Sequence, residues 1–414
     1  MHTLLSLLLC CQIVLSSCMP NVFMPRFNFL LPAETSEVPA EQPEESKESS
    51  AQSDDAVSIT APSAILMEAS TGTIIYEKNS HEIRHPASIT KIMTLNLIFD
   101  ALEQGKFNLN DTVTVSEHAS SMGGSQVFLE AGETQDVETM IKCISIASAN
   151  DASVAMAEFV SGSEEAFVSE MNEKAKSLGM KDTHFVNCCG LDMEDHMTSA
   201  YDVALMSREL TVKHPQIHNY CTIWMDSFIH NTARGSKEFG LANTNKLIRQ
   251  YEYATGLKTG STSLAKFCLS ATAEKDGMEL IAVIMGAENP KNRFSDAAAL
   301  LNYGFSKCRI FTDEPSEGNT TLPVKRGVEH SLSLSPANQF QYLSVKGEDF
   351  SAITKDLSLP EFIEAPVKKG DKVGEIIYTL EGEKIGAVDI IAKQDIEKAD
   401  FSHYVLDVFL AYFS

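Results

Sequence analysis

The chain has 414 residues, of which 43% are hydrophobic and 22% are charged, so it is long enough for two or three domains with a substantial core. Its formal net charge is -24 at pH 7, and no stretch interleaves basic with aromatic residues. These properties exclude nucleic acid as a partner, because a phosphate backbone is bound by a basic surface.

Residues 1–18 have the character of an export signal. Their apolar run, between residues 4 and 15, is too short to span a bilayer, although no Lys or Arg precedes it. The four residues that end at Cys18 resemble the bacterial lipobox, in which the cysteine carries a lipid. Lipidation at Cys18 and ordinary cleavage nearby both remain open. Either route predicts an exported protein at the outer face of the bacterial cytoplasmic membrane or in the cell wall.

Residues 19–57 predict an acidic, disordered linker. Between residues 34 and 55 the chain carries eight acidic residues against the single base Lys47, with Ser, Pro and Gln among them. Such a composition cannot bury enough apolar surface to fold. We therefore expect a tether that holds the following domain away from the membrane or wall.

Residues 58–308 predict a catalytic domain of the α/β (α+β) class. Strands are expected at 63–68 and 73–77, then helices near 89–102, 136–145, 151–158, 164–178 and 201–210. Two further strands, at 267–273 and 280–285, flank the turn at Asp276 and Gly277, and a helix through 297–305 follows. This order of elements predicts an antiparallel sheet flanked by helices.

Residues 309–394 predict a small all-β, sandwich-like domain. Short alternating stretches at 331–335, 342–345, 373–380 and 385–391 are typical of strands. Residues 395–414 predict an amphipathic helix too brief to span a membrane. That helix could lie on a membrane surface or dock on the protein, and both interpretations stay open.

Six cysteines follow the leader. Cys143 and Cys268 lie in apolar runs and are expected to be buried thiols. The adjacent Cys188 and Cys189 match no redox or zinc spacing. A disulfide between Cys189 and Cys221 is conceivable in an exported protein, but free thiols in a reducing setting are preferred.

Ser88 and Lys91 place a hydroxyl and an amine three residues apart at the start of an apolar helix. This spacing brings the amine within reach of the hydroxyl, since both residues share one face. A lysine can act as a base only if burial or a neighbouring cation lowers its pKa. The alternative is a capping serine with a snorkelling lysine, and Ser263 and Lys266 have the same spacing.

Two further motifs supply partners for this pair. Ser148 and Asn150 form the one Ser-x-Asn of the sequence, at a polar break between two apolar helices. Lys258, Thr259 and Gly260 form its one Lys-Thr-Gly, at the start of a strand. Their order allows a helix start, a helix break and a strand to converge on one cleft.

The three motifs resemble those of penicillin-binding proteins and serine β-lactamases. The chain is most similar to the low-molecular-mass D-alanyl-D-alanine carboxypeptidases of the serine peptidase S11 family, over roughly residues 58–392. Further matching segments are residues 124–125, 130–133, 150–153, 185–187, 190–191, 243–247, 256–262 and 365–371. The resemblance implies a penicillin-binding/β-lactamase-like fold followed by a small all-β domain.

The resemblance also implies a role for each motif residue. Ser88 would be the nucleophile that forms an acyl-enzyme with a peptidoglycan stem pentapeptide and expels its terminal D-alanine. Lys91 would be the general base, with its pKa lowered by burial and by Lys258. Ser148 would relay a proton to the leaving amine, and Asn150 would bind the substrate amide and position Lys91.

Substrate binding would fall to the third motif. Lys258 and Thr259 would hold the terminal carboxylate, and Gly260 would let the backbone approach closely. The N–H groups of Ser88 and Ser261 could form the oxyanion hole. β-Lactam antibiotics would mimic the substrate and stay attached. The resemblance implies no cofactor and no metal.

Some features depart from the family pattern or favour other functions. Ala149 stands where many relatives have Gly, and the two cysteines with Glu194 and Asp195 are unusual in their loop. The alternatives are a class A-like β-lactamase, which would need an Asn where Met197 stands, and a non-catalytic penicillin-recognising wall-binding protein. His196 is interpreted as a structural loop histidine.

Overall fold

The computed structural model describes residues 57–232, 235–313, 320–345, 347–403 and 405. The chain divides into two units, Met1–Asp54 and Asp55–Ser414, and every described residue belongs to the second. The predicted signal at 1–18 and nearly all of the predicted linker at 19–57 lie outside these residues. Within them, no helix is both long and apolar enough to cross a membrane.

The first part of the described chain alternates strands and helices. In chain order, its elements are β1 (Ser63–Glu68), β2 (Ile74–Lys78), α1 (Lys91–Glu103), β3 (Thr112–Thr114), α2 (Glu117–Ser120), β4 (Thr134–Asp136), α3 (Val137–Ser145), α4 (Asn150–Ser161), α5 (Glu164–Ser177), α6 (Ala200–Lys213), α7 (His218–Cys221), β5 (Met225–Thr232), β6 (Gly235–Ala242), α8 (Leu247–Gln250), β7 (Ala254–Thr262), β8 (Lys266–Lys275), β9 (Met278–Ala287) and α9 (Pro290–Lys307). Short 3₁₀ turns precede α1 and α7, at Ala87–Thr90 and Pro215–Ile217.

A five-stranded antiparallel sheet organises this part, with strand order β2-β1-β9-β8-β7. Side chains alternate along β9 between two apolar cores. Ile281, Val283 and Met285 pack in the core that contains α1, whereas Leu280 and Ile284 pack in the core that contains α9. Because both faces are covered, β9 is almost wholly buried, and the antiparallel sheet flanked by helices is confirmed.

Local signals in the sequence set the helix ends. Asp136, Ser163 and Ser199 cap α3, α5 and α6, each accepting a backbone N–H three residues ahead. Asp276 and Gly277 both have positive φ, which forms the tight turn between β8 and β9. The helix predicted at 201–210 is longer, because the Ser199 cap starts it at Ala200 and it continues to Lys213.

The second part is all β, as predicted. Its elements are β10 (Arg309–Asp313), β11 (Thr321–Lys325), β12 (Ser331–Pro336), β13 (Phe340–Ser344), β14 (Ile353–Ser358), β15 (Ile363–Glu364), β16 (Lys372–Leu380) and β17 (Glu383–Ala392). Six strands form one sheet in the order β14-β16-β17-β12-β11-β15, and β10 pairs with β13. This part has an apolar core of its own around Leu332, Leu334 and Ile390.

The predicted helix at 395–414 is wrong at its start. Ile396 and Lys398 instead form isolated β-bridges with Val367 and Gly327, so the backbone there is extended. A helical turn begins only at Phe401. Residue 404 and residues 406–414 lie outside the described chain, so the rest of that helix stays a prediction.

Candidate active site

Ser88 lies on the tight 3₁₀ turn that leads into α1, and Lys91 is the first residue of that helix. The turn begins with Ala87 at a φ of 48°, a left-handed conformation that non-glycine residues rarely adopt. Strain of this kind persists only where the surrounding structure fixes it. The turn brings Lys91 Nζ to 3.1 Å from Ser88 Oγ, as the sequence spacing predicted.

The Lys91 amine is fully buried among hydrogen-bond acceptors. Its Nζ lies 2.6 Å from Asn150 Oδ1 and 2.6 Å from the backbone oxygen of Cys189. Burial lowers the pKa of Lys91, because a charged ammonium loses its water there. A neutral amine has two N–H groups, which match these two acceptors, and its lone pair then faces Ser88 Oγ.

The second motif lies at the junction of α3 and α4, and its Asn150 contacts Lys91. Ser148 has a φ of 62°, and α4 begins at Asn150. Asn150 is held in place because its Nδ2 donates to Gly123 O at 2.7 Å and its backbone N–H donates to Ser125 O at 2.7 Å. Ala149 has a φ of -66°, so this position does not require a glycine.

Lys258 and Ser148 form a second buried pair. Lys258 Nζ donates to Ser148 Oγ at 2.8 Å and to Thr259 O at 2.9 Å. Burial lowers the pKa of Lys258 well below its usual value, and the charge of Lys91 lowers it further. The sequence interpretation had burial and Lys258 together lower the pKa of Lys91; in the structure burial is the largest cause for both amines, and the repulsion between two positive charges would act on both.

Strand β7 carries Lys258 and lies at the edge of the sheet. It packs against the serine turn at Gly260, where an added Cβ would lie 2.9 Å from Pro86 O and 3.0 Å from Ile89 N. The close approach expected of Gly260 is therefore present. Ser261 follows and is exposed, and its N–H as an oxyanion donor stays a prediction.

The sequence analysis missed the role of the loop at 187–192. Its backbone oxygens are acceptors for α1: Cys189 O for Lys91, and Cys188 O for Thr94 Oγ1 at 2.5 Å. Gly190 has a φ of 88°, and a Cβ there would lie 1.9 Å from Ala87 O. The glycine signal was visible in the sequence, but backbone acceptors leave no trace in it.

The cysteines of this loop are structural in the described chain. All six cysteines after the leader are free and buried, so no disulfide joins Cys189 to Cys221. Burial raises the pKa of the Cys188 and Cys189 thiols, which keeps both neutral and unreactive. The unusual cysteine pair therefore fills the core, while its backbone contacts the site.

Two further residues extend the strand side of the site. Thr244 Oγ1 lies 2.7 Å from Thr259 Oγ1. Arg293, on α9, is buried beneath β7 and donates from Nη1 to Gly260 O at 3.2 Å. Thr244 falls within the matching segment 243–247, but neither residue was given a role from the sequence, because each reaches the site only through the folding of distant segments.

His196 supports the serine turn from behind. Its Nδ1 accepts the Val186 N–H at 2.9 Å, so the proton is on Nε2 and is donated to Thr90 Oγ1 at 2.8 Å. Thr90 Oγ1 in turn donates to Ala87 O at 2.9 Å. Burial lowers the pKa of His196 to about 4, so the ring is neutral at pH 7. These contacts fit the structural role predicted for it.

One group of described side chains has the spacing of a metal site: Asp100, Glu103 and His214. Asp100 already contacts the ammonium groups of Lys213 and Lys174, at 2.5 and 3.0 Å. Two cations around one carboxylate disfavour a third. This cluster is therefore a structural ion-pair network on the helical part of the fold.

Comparisons with known proteins follow the same division of the chain. Residues 47–289 match the profile of the D-alanyl-D-alanine carboxypeptidase family, Peptidase S11. Residues 312–398 match the profile of the penicillin-binding protein 5 C-terminal domain.

Similar proteins and structures span most of the chain. It is 45% identical over 344 residues to D-alanyl-D-alanine carboxypeptidase DacF of Bacillus subtilis, covering 82% of this chain and 87% of that protein. It is 33% identical to DacA of Escherichia coli, covering 84% and 87%. The crystal structure of penicillin-binding protein 5 from Haemophilus influenzae has a TM-score of 0.68 at 29% identity, covering 82% of this chain and 98% of that one.

Proposed function

The chain belongs to the D-alanyl-D-alanine carboxypeptidase family, Peptidase S11, and from this premise we propose that it removes the terminal D-alanine of peptidoglycan stem pentapeptides through an acyl-enzyme on Ser88. One observation carries the assignment of the residues. The buried Lys91 amine lies between Ser88 Oγ and two fixed acceptors, Asn150 Oδ1 and Cys189 O. This arrangement suits a neutral general base.

Acylation begins with proton transfer from Ser88 to Lys91. The neutral amine takes the proton, and Ser88 Oγ attacks the carbonyl carbon of the penultimate D-alanine. The N–H groups of Ser88 and Ser261 would stabilise the developing oxyanion. As Lys91 becomes an ammonium, its third N–H would face Ser88 Oγ, so each N–H of the buried ammonium has an acceptor.

Collapse of the tetrahedral intermediate breaks the peptide bond. The leaving amine needs a proton, and Ser148 would relay to it the proton that Lys91 took from Ser88, with Ser148 Oγ held by a hydrogen bond from Lys258 Nζ. D-Alanine then departs and leaves an ester on Ser88. Lys91, neutral again, would take a proton from the water that attacks this ester and return it to Ser88 Oγ as the acyl product leaves, which restores the Ser88 hydroxyl.

Substrate binding would use residues of strand β7 together with Asn150. Lys258 and Thr259 on the edge strand β7 would hold the terminal carboxylate, and Asn150 would donate to the substrate amide. A β-lactam has a carboxylate and a strained amide in similar positions. It would acylate Ser88 and stay attached to it, as β-lactams do in penicillin-binding proteins.

We propose the same domain division as the sequence predicted, with catalytic residues in 58–308 and the β domain in 309–394. The support is that α9 ends at Lys307, β10 begins at Arg309, and the two family profiles match on either side. Cell-wall peptides as substrates imply an extracytoplasmic site of action. The outer face of the cytoplasmic membrane, reached through the N-terminal signal or lipid or the C-terminal segment, is the proposed location.

Two assays on one sample test this function. The folded protein should bind a fluorescent penicillin covalently and release D-alanine from a stem pentapeptide, and Ser88→Ala should do neither. A class A-like β-lactamase would turn over penicillin rapidly without releasing D-alanine. A folded protein inactive in both assays would be the non-catalytic wall-binding alternative, and the proposal would fail.

A further inference from the structure

Asn187 is the first residue of the loop at 187–192, which packs against the serine turn and accepts a hydrogen bond from Lys91. Its Oδ1 accepts the backbone N–H groups of Cys189, Gly190 and Leu191, at 3.2, 2.7 and 3.2 Å. Its Nδ2 donates to Leu191 O at 3.0 Å. A single side chain thus fixes three successive peptide groups, which sets where their carbonyl oxygens point.

Those carbonyls are oriented toward α1. Cys189 O lies 2.6 Å from Lys91 Nζ, and Cys188 O accepts from Thr94 Oγ1 at 2.5 Å. The same loop conformation packs Gly190 against Ala87, next to Ser88. The position of Cys189 O depends on the conformation of the loop backbone. The Asn187 side chain, which fixes that backbone, therefore orients the Lys91 amine.

We propose that Asn187 is a positioning residue for the reaction, which aims the Lys91 lone pair at Ser88 Oγ by fixing Cys189 O. The inference deepens the proposed function and rests on Lys91 being the general base. Among the described residues, the Asn187 side chain hydrogen-bonds to residues 189–191 and to neither Ser88 nor Lys91, so it acts through the loop backbone.

The Lys91 amine has a defined set of charged and titratable neighbours. They come from the loop, from α4, from β7 and from behind the serine turn, and they are Cys188, Cys189, Asp151, Lys258 and His196. Cys189 O adds an uncharged acceptor that favours the ammonium form of Lys91. Loss of this acceptor should therefore lower the pKa of the base, and a new carboxylate nearby should raise it.

Two substitutions of Asn187 separate these effects. Asn187→Ala removes the acceptor of three N–H groups, so the loop relaxes. The plateau of kcat/KM for pentapeptide should fall about 10- to 100-fold, with kcat falling equally and KM within about twofold of wild type. The acid limb of the pH profile should move to lower pH.

Asn187→Asp keeps the acceptor oxygen but adds a negative charge. The plateau should fall less than in the alanine variant, and the acid limb should move to higher pH. A residue that merely stabilises the fold would not move the acid limb of the pH profile in opposite directions in the two variants. Loss of folded protein lowers the plateau of kcat/KM but does not move the acid limb.

Asn172→Ala is the matched control. Asn172 anchors the same segment from α5, because it donates to Phe185 O at 2.8 Å and accepts the Phe185 N–H at 2.9 Å. Its loss should reduce thermal stability but leave the pH profile unchanged. The inference is overturned if folded Asn187→Ala has the wild-type plateau and limb, or if Asn172→Ala shifts the limb in the same way.

Labelling of wild type by fluorescent penicillin, run in parallel, separates this inference from the proposed function. If wild type is labelled and the Asn187 variants match it in rate and pH profile, only the positioning role fails. If folded wild type is not labelled, the proposed function fails and the role of Asn187 fails with it.

Discussion

The chain contains two serine and lysine pairs with identical spacing, and their surroundings could hardly differ more. Ser88 and Lys91 lie at the start of a helix buried from Lys91 to Ala101. Ser263 and Lys266 lie in and just after the exposed turn between β7 and β8, where both residues are exposed. Lys266 on that turn lies open to solvent, so burial does not strip the water from its amine as it does at Lys91.

The comparison shows what makes a lysine into a base. Spacing brings the amine to the hydroxyl, but burial lowers the pKa of the amine and fixed acceptors orient it. Lys91 has both, with Asn150 Oδ1 and Cys189 O at 2.6 Å. The following predictions test whether these surroundings, rather than the spacing, separate the two pairs.

The largest difference is expected between the two serines. Ser88→Ala should lower kcat for D-alanine release by on the order of 10⁴-fold or more and abolish covalent penicillin binding, because no acyl-enzyme can form. Ser263→Ala should keep the wild-type rate of both. D-Alanine release and gel fluorescence of the two variants measure this. Equal losses would remove the distinction between the pairs.

Substitution of Lys91 should slow acylation by the contribution of a general base, whereas substitution of Lys266 should not. Lys91→Ala should slow acylation about 10²- to 10⁴-fold while the fold stays largely intact, whereas Lys266→Ala should acylate normally. Stopped-flow penicillin binding gives the rates, and circular dichroism checks the fold. Retained acylation in folded Lys91→Ala would mean that another group is the base.

The close packing of β7 on the serine turn distinguishes the buried pair in a third way. Gly260→Ala would place a Cβ 2.9 Å from Pro86 O, so the strand must move away from Ser88 and carry Lys258 with it. We expect kcat/KM to fall roughly 10- to 100-fold. Gly240→Ala is the control, since a Cβ there meets nothing within 4 Å. Equal activity of the two variants would show that this packing is not tight.

Acid should lower the folding stability that His196 contributes from behind the serine turn. The pKa of His196 is lowered from 6.5 to about 4 in the folded state, so below pH 6.5 the unfolded chain binds the proton more readily. Stability from this group is present above pH 6.5 and is lost as the pH falls toward 4. The full effect is about 3 kcal/mol. Urea unfolding of wild type and His196→Gln between pH 7 and pH 4 should show a steeper decline in wild type; equal slopes would contradict the assignment.

The sequence predicted the secondary-structure elements and the side chains of the candidate site because each has a local signal. Helix caps such as Ser163, the turn at Asp276, and the three motifs are all short-range patterns. The β-rich second part was visible for the same reason, from alternation within single strands.

What the sequence could not predict depends on contacts between distant segments or on backbone atoms. Cys189 O, an acceptor for Lys91, is a backbone atom. Any residue type at position 189 would provide it, so the sequence carries no signal for it. Thr244, between β6 and α8, and Arg293, on α9, reach the site through contacts with Thr259 and Gly260 of β7. The start of the last helix was misplaced because Ile396 pairs with Val367, a bridge no local pattern indicates.

The most direct test of the account is to locate the covalent adduct. Folded wild-type protein is treated with a penicillin, digested, and mapped by mass spectrometry. We predict one adduct per chain, on the peptide that contains Ser88, and an unmodified peptide containing Ser263. An adduct on Ser263, or none in folded protein, would contradict the claim that burial and fixed acceptors select Ser88.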